Sequence, residues 1–178
     1  MIAPFSHRLA DAGDIAALKP LMDAAISGHL KKVLSPDQVR ASHEIMGLDT
    51  QLIEDGTYFI VLCGETIAGC GGWSKRATHF GGDHSPGRDG RLLDPKTEPA
   101  RVRAMYTHPD FARQGIGKLI LQLCEGAARD AGFSRVALVA TMSGLPLYRA
   151  FGYRDVEAFE ERTPSGVLVP LMRMEKRL

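Results

Sequence analysis

The segment HPDFARQGIGKLIL, residues 108–121, sets Gly115 and Gly117 one residue apart between Arg113 and Lys118. An apolar stripe of helical period starts between the glycines, so two poor helix formers stand where a helix opens. Anion binding is the chemistry that suits such a turn. The first N–H groups of a helix have no internal partner, and the helix dipole favours negative charge there by up to about 2 kcal/mol. Glycine removes the Cβ that would hold a diphosphate away from those donors. Arg113 and Lys118 add positive charge beside it. An isolated G-x-G is more often a plain turn. Here the strand before it, the stop at Pro109, the two cations and the clean helix after it favour the anion site.

Three phosphate-binding patterns compete for this turn. A G-x-x-x-x-G-K-[ST] loop fails twice, because Ala112 stands at its first glycine and Leu119 at its Ser/Thr. A G-x-G-x-x-G dinucleotide fingerprint fails at Ile120, and its β-α-β unit would normally open the chain. The pattern [Q/R]-x-x-G-x-[G/A] at a strand-to-helix turn fits from Gln114 onward.

The elements that must hold this turn are legible around it. Ile116, Leu119, Ile120, Leu123, Cys124, Ala127, Ala128 and Ala131 form the apolar stripe of a helix over 116–131. A strand over 100–107 precedes the turn and one over 135–140 follows the helix, giving a parallel β-α-β unit with a right-handed crossover. Upstream, Phe5 to Ala10 reads as a strand, and Asp11 and Asp14 as caps for a helix through Leu18 to Ile26. Ser35-Pro36-Asp37 starts a second helix, which Gly47 closes. Residues 57–62 and 67–74 form a hairpin, and Gly69, Gly71 and Gly72 mark a bulge or a close approach. Residues 77–97 have no period and read as a long loop. A short helix over 144–150 and strands over 157–163 and 167–176 complete the order.

Composition narrows the function classes. The chain has 178 residues, 44% hydrophobic and 24% charged, which is enough for one domain, 1–178, with a real core. A net charge of +1 offers no global field for nucleic acid or an anionic membrane. Three cysteines, Cys63, Cys70 and Cys124, are too few for a disulfide framework and lack metal-ligand spacing. No secretory leader and no run of membrane-spanning length is visible, so a cytoplasmic protein is expected.

The stretch MYTHPDFARQGIGKLIL, with LYRAFGY (147–153) one strand later, resembles the GNAT (N-acetyltransferase) superfamily over about residues 57 to 155. The resemblance implies an α/β (α+β) fold, with a mixed and mostly antiparallel central sheet, the parallel β-α-β unit and flanking helices. It implies acetyl-CoA as cosubstrate and no metal. Met105, Tyr106 and Thr107 would offer main-chain groups to the pantetheine arm. Arg113, Gln114, Gly115, Ile116, Gly117 and Lys118 would wrap the pyrophosphate, mostly through N–H groups. Tyr148 matches a tyrosine that gives a proton to the CoA sulfur as general acid. The family's Gln or Arg three residues before the first glycine is Ala112 here. A homodimer is a common state in the superfamily.

Acetyl transfer to an amine needs a neutral nucleophile, and an alkyl amine of pKa near ~10.4 is only about 0.04% neutral at pH 7. A base is therefore required, directly or through water. Glu98, where the 100–107 strand begins, and His108 are candidates, with a water chain as an equal. Trp73, His79, Asp83 and His84 are expected around the acceptor, while HFGGDH lacks a third metal ligand at convincing spacing. Arg101 and Arg103 share one strand face; an acidic acceptor is one reading, and the charged face of an edge strand the favoured one. The expected function is N-acetylation of a small-molecule or peptide amine. An acyl-CoA-binding sensor without turnover, or a nucleotide-binding domain, are the alternatives.

Overall fold

The computed structural model describes residues 5–178; Met1 to Pro4, part of the segment read as carrying no leader, lie outside it. Strand β1 (Ser6–Leu9) leads to helices α1 (Ile15–Leu30), α2 (Pro36–Ile45) and α3 (Thr50–Glu54). Strands β2 (Tyr58–Cys63), β3 (Thr66–Ser74) and β4 (Ala100–Thr107) precede helix α4 (Ile116–Asp130). Then come β5 (Arg135–Thr141), α5 (Leu145–Ala150), β6 (Arg154–Arg162) and β7 (Leu168–Arg177). The seven strands form one sheet in the order β1-β2-β3-β4-β5-β7-β6. Every adjacent pair is antiparallel except β4–β5, the parallel pair expected around α4.

Local chemistry accounts for the element ends. Ser35 Oγ accepts from the Gln38 amide at 3.2 Å while Gln38 Oε1 accepts from the Ser35 amide at 3.1 Å, a reciprocal cap that starts α2. Asp49 starts α3 by accepting from the Gln51 amide at 3.2 Å. That helix was not foreseen, because five residues are too few to show a helical period.

α4 lies on one face of the sheet. Ile116, Ile120, Leu121, Cys124 and Ala128 are buried there against Val102, Val136, Leu138, Ala140 and Met174. The β3 glycines allow this approach. A Cβ on Gly69 would stand 2.5 Å from Ile116 Cγ2, and one on Gly71 2.6 Å from Ile120 Cγ2. The opposite face carries α1 over β2–β4, with Leu18, Met22, Ile26 and Tyr58 in the core, and α2 against β7. Among the described residues no helix is long and apolar enough to cross a membrane.

The edge-strand reading of residues 100–107 is overturned. β4 is the central strand of seven, and Arg101 and Arg103 are only 7% and 5% exposed. Alternation along the strand revealed a shared face; it did not reveal that both faces are covered.

Two departures from regularity open the sheet at β4. β4 and β5 pair only at Ala100↔Val136 and Arg101↔Ala137, and they part beyond that point. On its other side, β4 places Ala104 and Met105 opposite the single residue Gly71, a bulge with Ala104 at φ 51°. The Tyr58 hydroxyl donates to the Ala104 carbonyl at 2.8 Å and pins this strained residue.

Candidate active site

The glycine turn sits where the sequence analysis put it, at the start of α4. Arg113 and Gly115 both hold left-handed backbone, at φ 65° and 86°. Left-handed residues interleaved with ordinary ones turn successive N–H groups into one concavity that suits an anion. Among the described residues, the amides of Arg113 to Lys118 meet no hydrogen-bond acceptor; the first helical bond runs from Leu119 N–H to the Gly115 carbonyl, at 3.0 Å. The two glycines serve different needs. A Cβ at Gly115 would meet only open space, so glycine is required there by conformation. A Cβ at Gly117 would stand 2.6 Å from Leu147 Cδ2, so glycine is required there for α5 to pack.

The cleft between the parting strands runs from this turn toward the bulge. The His108 amide donates to the Ala68 carbonyl at 2.9 Å, so strand alternation turns the main-chain groups of Met105 and Thr107 toward the cleft and those of Tyr106 toward β3. The Thr107 carbonyl is already engaged by His29 Nε2 at 2.8 Å. The Tyr106 hydroxyl accepts from the Gly47 amide at 2.9 Å and anchors the loop after α2. Met105 is therefore the residue whose main chain is most available there.

Tyr148, on α5, closes the cleft. Its hydroxyl points to Met105 Sδ at 3.8 Å, and its ring packs edge-on against Tyr153 at 5.9 Å between centroids. Gly144 makes room for it, since a Cβ there would stand 2.7 Å from Tyr148 Cε2. Burial, with the Cys124 thiol nearby, pushes the Tyr148 phenol up to about 12, so it stays protonated at neutral pH. Met105, Val139, Thr141, Tyr148, His79 and Phe80 help enclose a cavity of about 90 Å³ at this point.

Of the four residues expected around the acceptor, His79 alone lines this cavity. Trp73 is 7% exposed in the α4-side core, against Phe133. Asp83 accepts from the Thr50 amide at 3.0 Å, and His84 Nε2 donates to the His43 carbonyl at 2.9 Å, so both tie the 77–97 loop to the helices. Burial, followed by Arg101, Arg173 and Arg103, pushes the His79 imidazole below its ordinary value of 6.5, against a smaller opposing pull from Asp89. His79 is thus a neutral imidazole on the cavity wall at pH 7. Sequence reasoning expected His79 around the acceptor and did not weigh it as a base, since the arginines that depress it lie on β4 and β7.

Glu98 is engaged elsewhere. Both of its oxygens accept from Arg91, at 3.0 and 3.1 Å, and Oε2 also accepts from the Asp94 amide at 2.9 Å. The guanidinium holds this carboxylate down at about 2, so it is a very weak base. His108 Nδ1 accepts from the Asp110 amide at 3.2 Å and caps the short turn before Arg113. Asp49, overlooked in the sequence, is fully buried between Arg103 and Arg88, at 2.7 and 2.8 Å. Arg103 also donates to the Gly81 carbonyl at 2.6 Å, fixing the loop beside the cavity. Among the described residues no group of three His, Cys, Asp or Glu side chains could hold a metal ion.

A sequence model of the Acetyltransferase (GNAT) family matches residues 28–153. The chain belongs to that family. It is accordingly an N-acetyltransferase of the mixed α/β architecture described above. YedL, an uncharacterized N-acetyltransferase of Escherichia coli (strain K12), is 27% identical over 149 residues, which cover 80% of each chain. A GCN5-related N-acetyltransferase structure from Rhodopseudomonas palustris aligns with 100% of this GNAT chain and 98% of its own, at TM-score 0.74 and 16% identity. The PaiA N-acetyltransferase of Thermoplasma acidophilum, solved with coenzyme A, covers 98% of this chain and 99% of its own, at TM-score 0.65 and 12% identity. YncA of Salmonella typhimurium, solved with its cofactor acetyl-CoA, covers 98% of this chain and 94% of its own, at TM-score 0.63 and 16% identity.

Proposed function

We propose that this GNAT protein transfers the acetyl group of acetyl-CoA to a primary amine of a small molecule or peptide, by direct attack of the amine on the thioester. The observation that carries the reading is the run of amides from Arg113 to Lys118 without acceptors, which follows β4 at the end where it parts from β5, while Tyr148 walls the cavity further in. That run suits the pyrophosphate, with Arg113 and Lys118 beside it as exposed cations. The pantetheine arm would take the strand-like path between β4 and β5, against the main chain of Met105 and Thr107. The solved relatives that hold coenzyme A or acetyl-CoA have the same fold.

In this reading the amine nitrogen attacks the thioester carbonyl carbon and a C–N bond forms. A β4 main-chain N–H near Met105 stabilises the developing oxyanion. The C–S bond then breaks, and the departing thiolate takes its proton from the Tyr148 hydroxyl. The nitrogen's proton passes to the neutral His79 imidazole, directly or through water. Glu98, bound to Arg91, is set aside as the base.

Thiol release from acetyl-CoA with a panel of amines tests the transfer. The reading requires turnover that falls sharply in Tyr148→Phe. A cofactor-binding module is the second reading, favoured only by the engagement of Glu98. Tight acetyl-CoA binding without thiol release on any amine would select it.

A further inference from the structure

We propose that the acceptor is a small amine that also carries a carboxylate, and that this carboxylate docks on Arg101 and Arg173, on the sheet face opposite α4. The inference rests on the acetyl-transfer reading and adds the acceptor's chemical class.

Sheet register brings the two arginines to one face. Arg101 on β4 lies beside Ala137 of β5, and Ala137 beside Glu175 of β7. Two residues further along, Val139 lies beside Arg173, which faces Glu157 of β6. A period of two puts these residues on the side away from α4, with Arg103 next along β4. A second cavity, of about 460 Å³, opens on that side, and Arg101, Arg91, Asp89 and Glu161 are among its walls. His79 and Phe80 line both this cavity and the one beside Tyr148, so the two adjoin along a shared wall.

Arg101 carries the argument. It is 7% exposed, its Nη1 donates to the Pro99 carbonyl at 3.1 Å, and its Nε is buried without an acceptor. Arg173 also has a buried Nε without an acceptor, while its Nη2 lies 3.3 Å from Glu157. An unmade hydrogen bond at a buried guanidinium is costly, and a carboxylate is the group whose paired oxygens match that fork. The nearby acids do not fill the place. Glu98 is held by Arg91, Glu157 by Arg173, and Glu175 lies 3.8 Å from Arg135.

Asp89 and Glu161 narrow the anion further. They add two negative charges to the cavity wall, which repel a dianion such as phosphate more strongly than a single carboxylate. The four residue steps from Arg101 to Met105 span roughly 13 Å, of which the arginine side chain covers part. An acceptor with amine and carboxylate on the same carbon is too short; one with several bonds between them fits.

The test compares 6-aminohexanoate with hexylamine in thiol release from acetyl-CoA, for the wild type, Arg101→Gln, Arg101→Lys and Arg173→Gln. In the wild type the amino acid should exceed the plain amine about tenfold or more in kcat/KM, through KM, as expected for a bidentate contact. Arg101→Gln should erase that advantage and Arg101→Lys keep part of it. Arg173→Gln, at a more exposed position, should reduce it without disturbing the fold. Equal turnover of the two amines by the wild type overturns the carboxylate site alone. No thiol release with any amine overturns the transfer reading, and this inference with it.

Discussion

Tyr148 and His79 divide the proton traffic of the proposed reaction, and each makes a prediction. The Tyr148 phenol is held up at about 12 by burial, so it can give a proton and cannot accept one at neutral pH. Tyr148→Phe keeps the ring against Tyr153 and removes the proton; kcat should fall by roughly 10²-fold, with acetyl-CoA affinity retained in a binding titration. His79 works in the opposite sense. Arg101 and Arg103 on β4 and Arg173 on β7 face it and, after burial, press its value below 6.5, while Asp89 pulls the other way. A base must be neutral, so kcat/KM should drop as pH falls through that lowered value. His79→Gln should lower the plateau and flatten this acidic limb. An unchanged limb in the variant would assign the base elsewhere.

Elements decide which residue-level readings succeed. α4 was visible because its apolar stripe repeats over four turns, and β4 because β-branched and aromatic residues stop at Pro109. The Tyr148 motif was legible only through the resemblance of LYRAFGY, one strand after the glycine turn, to the family. Other features depend on residues far apart in sequence. Gly117 is small because Leu147 lies against it, and Arg103 is buried because Asp49 lies beside it. Neither neighbour can be read from the local text. The β3 glycines were marked for a close approach; α4 is the approaching group at Gly69 and Gly71, and Thr57 and Tyr58 are at Gly72. Gly71→Val should therefore act at two places, since its Cβ would press Ile120 Cγ2 at 2.6 Å and Met105 Cγ at 2.8 Å. We expect a loss of about 1–3 kcal/mol in denaturant unfolding, together with weaker acetyl-CoA binding.

Stability of the whole molecule against pH should have two limbs. Asp14, Asp55, Asp155 and Glu98 are all held below their ordinary values by arginine partners, Glu98 at about 2. A depressed carboxylate contributes stability above its unfolded value, 4.5 for Glu98, and that contribution is lost as pH falls toward 2. At the other end, burial raises the Cys70 thiol from 9.0 to about 12 and the Tyr148 phenol from 10.0 to about 12. Groups held neutral in this way favour the fold below their unfolded values, and the advantage disappears as pH rises from about 9 toward 12. Thermal unfolding followed across pH should show a plateau between these limbs.

The central claim places the pyrophosphate of acetyl-CoA on the amides of the 113–118 turn. Gly115 allows the most direct test, because a side chain there meets open space and Asn and Asp both tolerate left-handed backbone. Gly115→Asn and Gly115→Asp have the same shape and differ by one negative charge. Calorimetric titration with acetyl-CoA should show the Asp variant binding about tenfold or more weakly than the Asn variant, the effect of a carboxylate set against a bound diphosphate. Equal affinity in the two variants would contradict the placement of the cofactor.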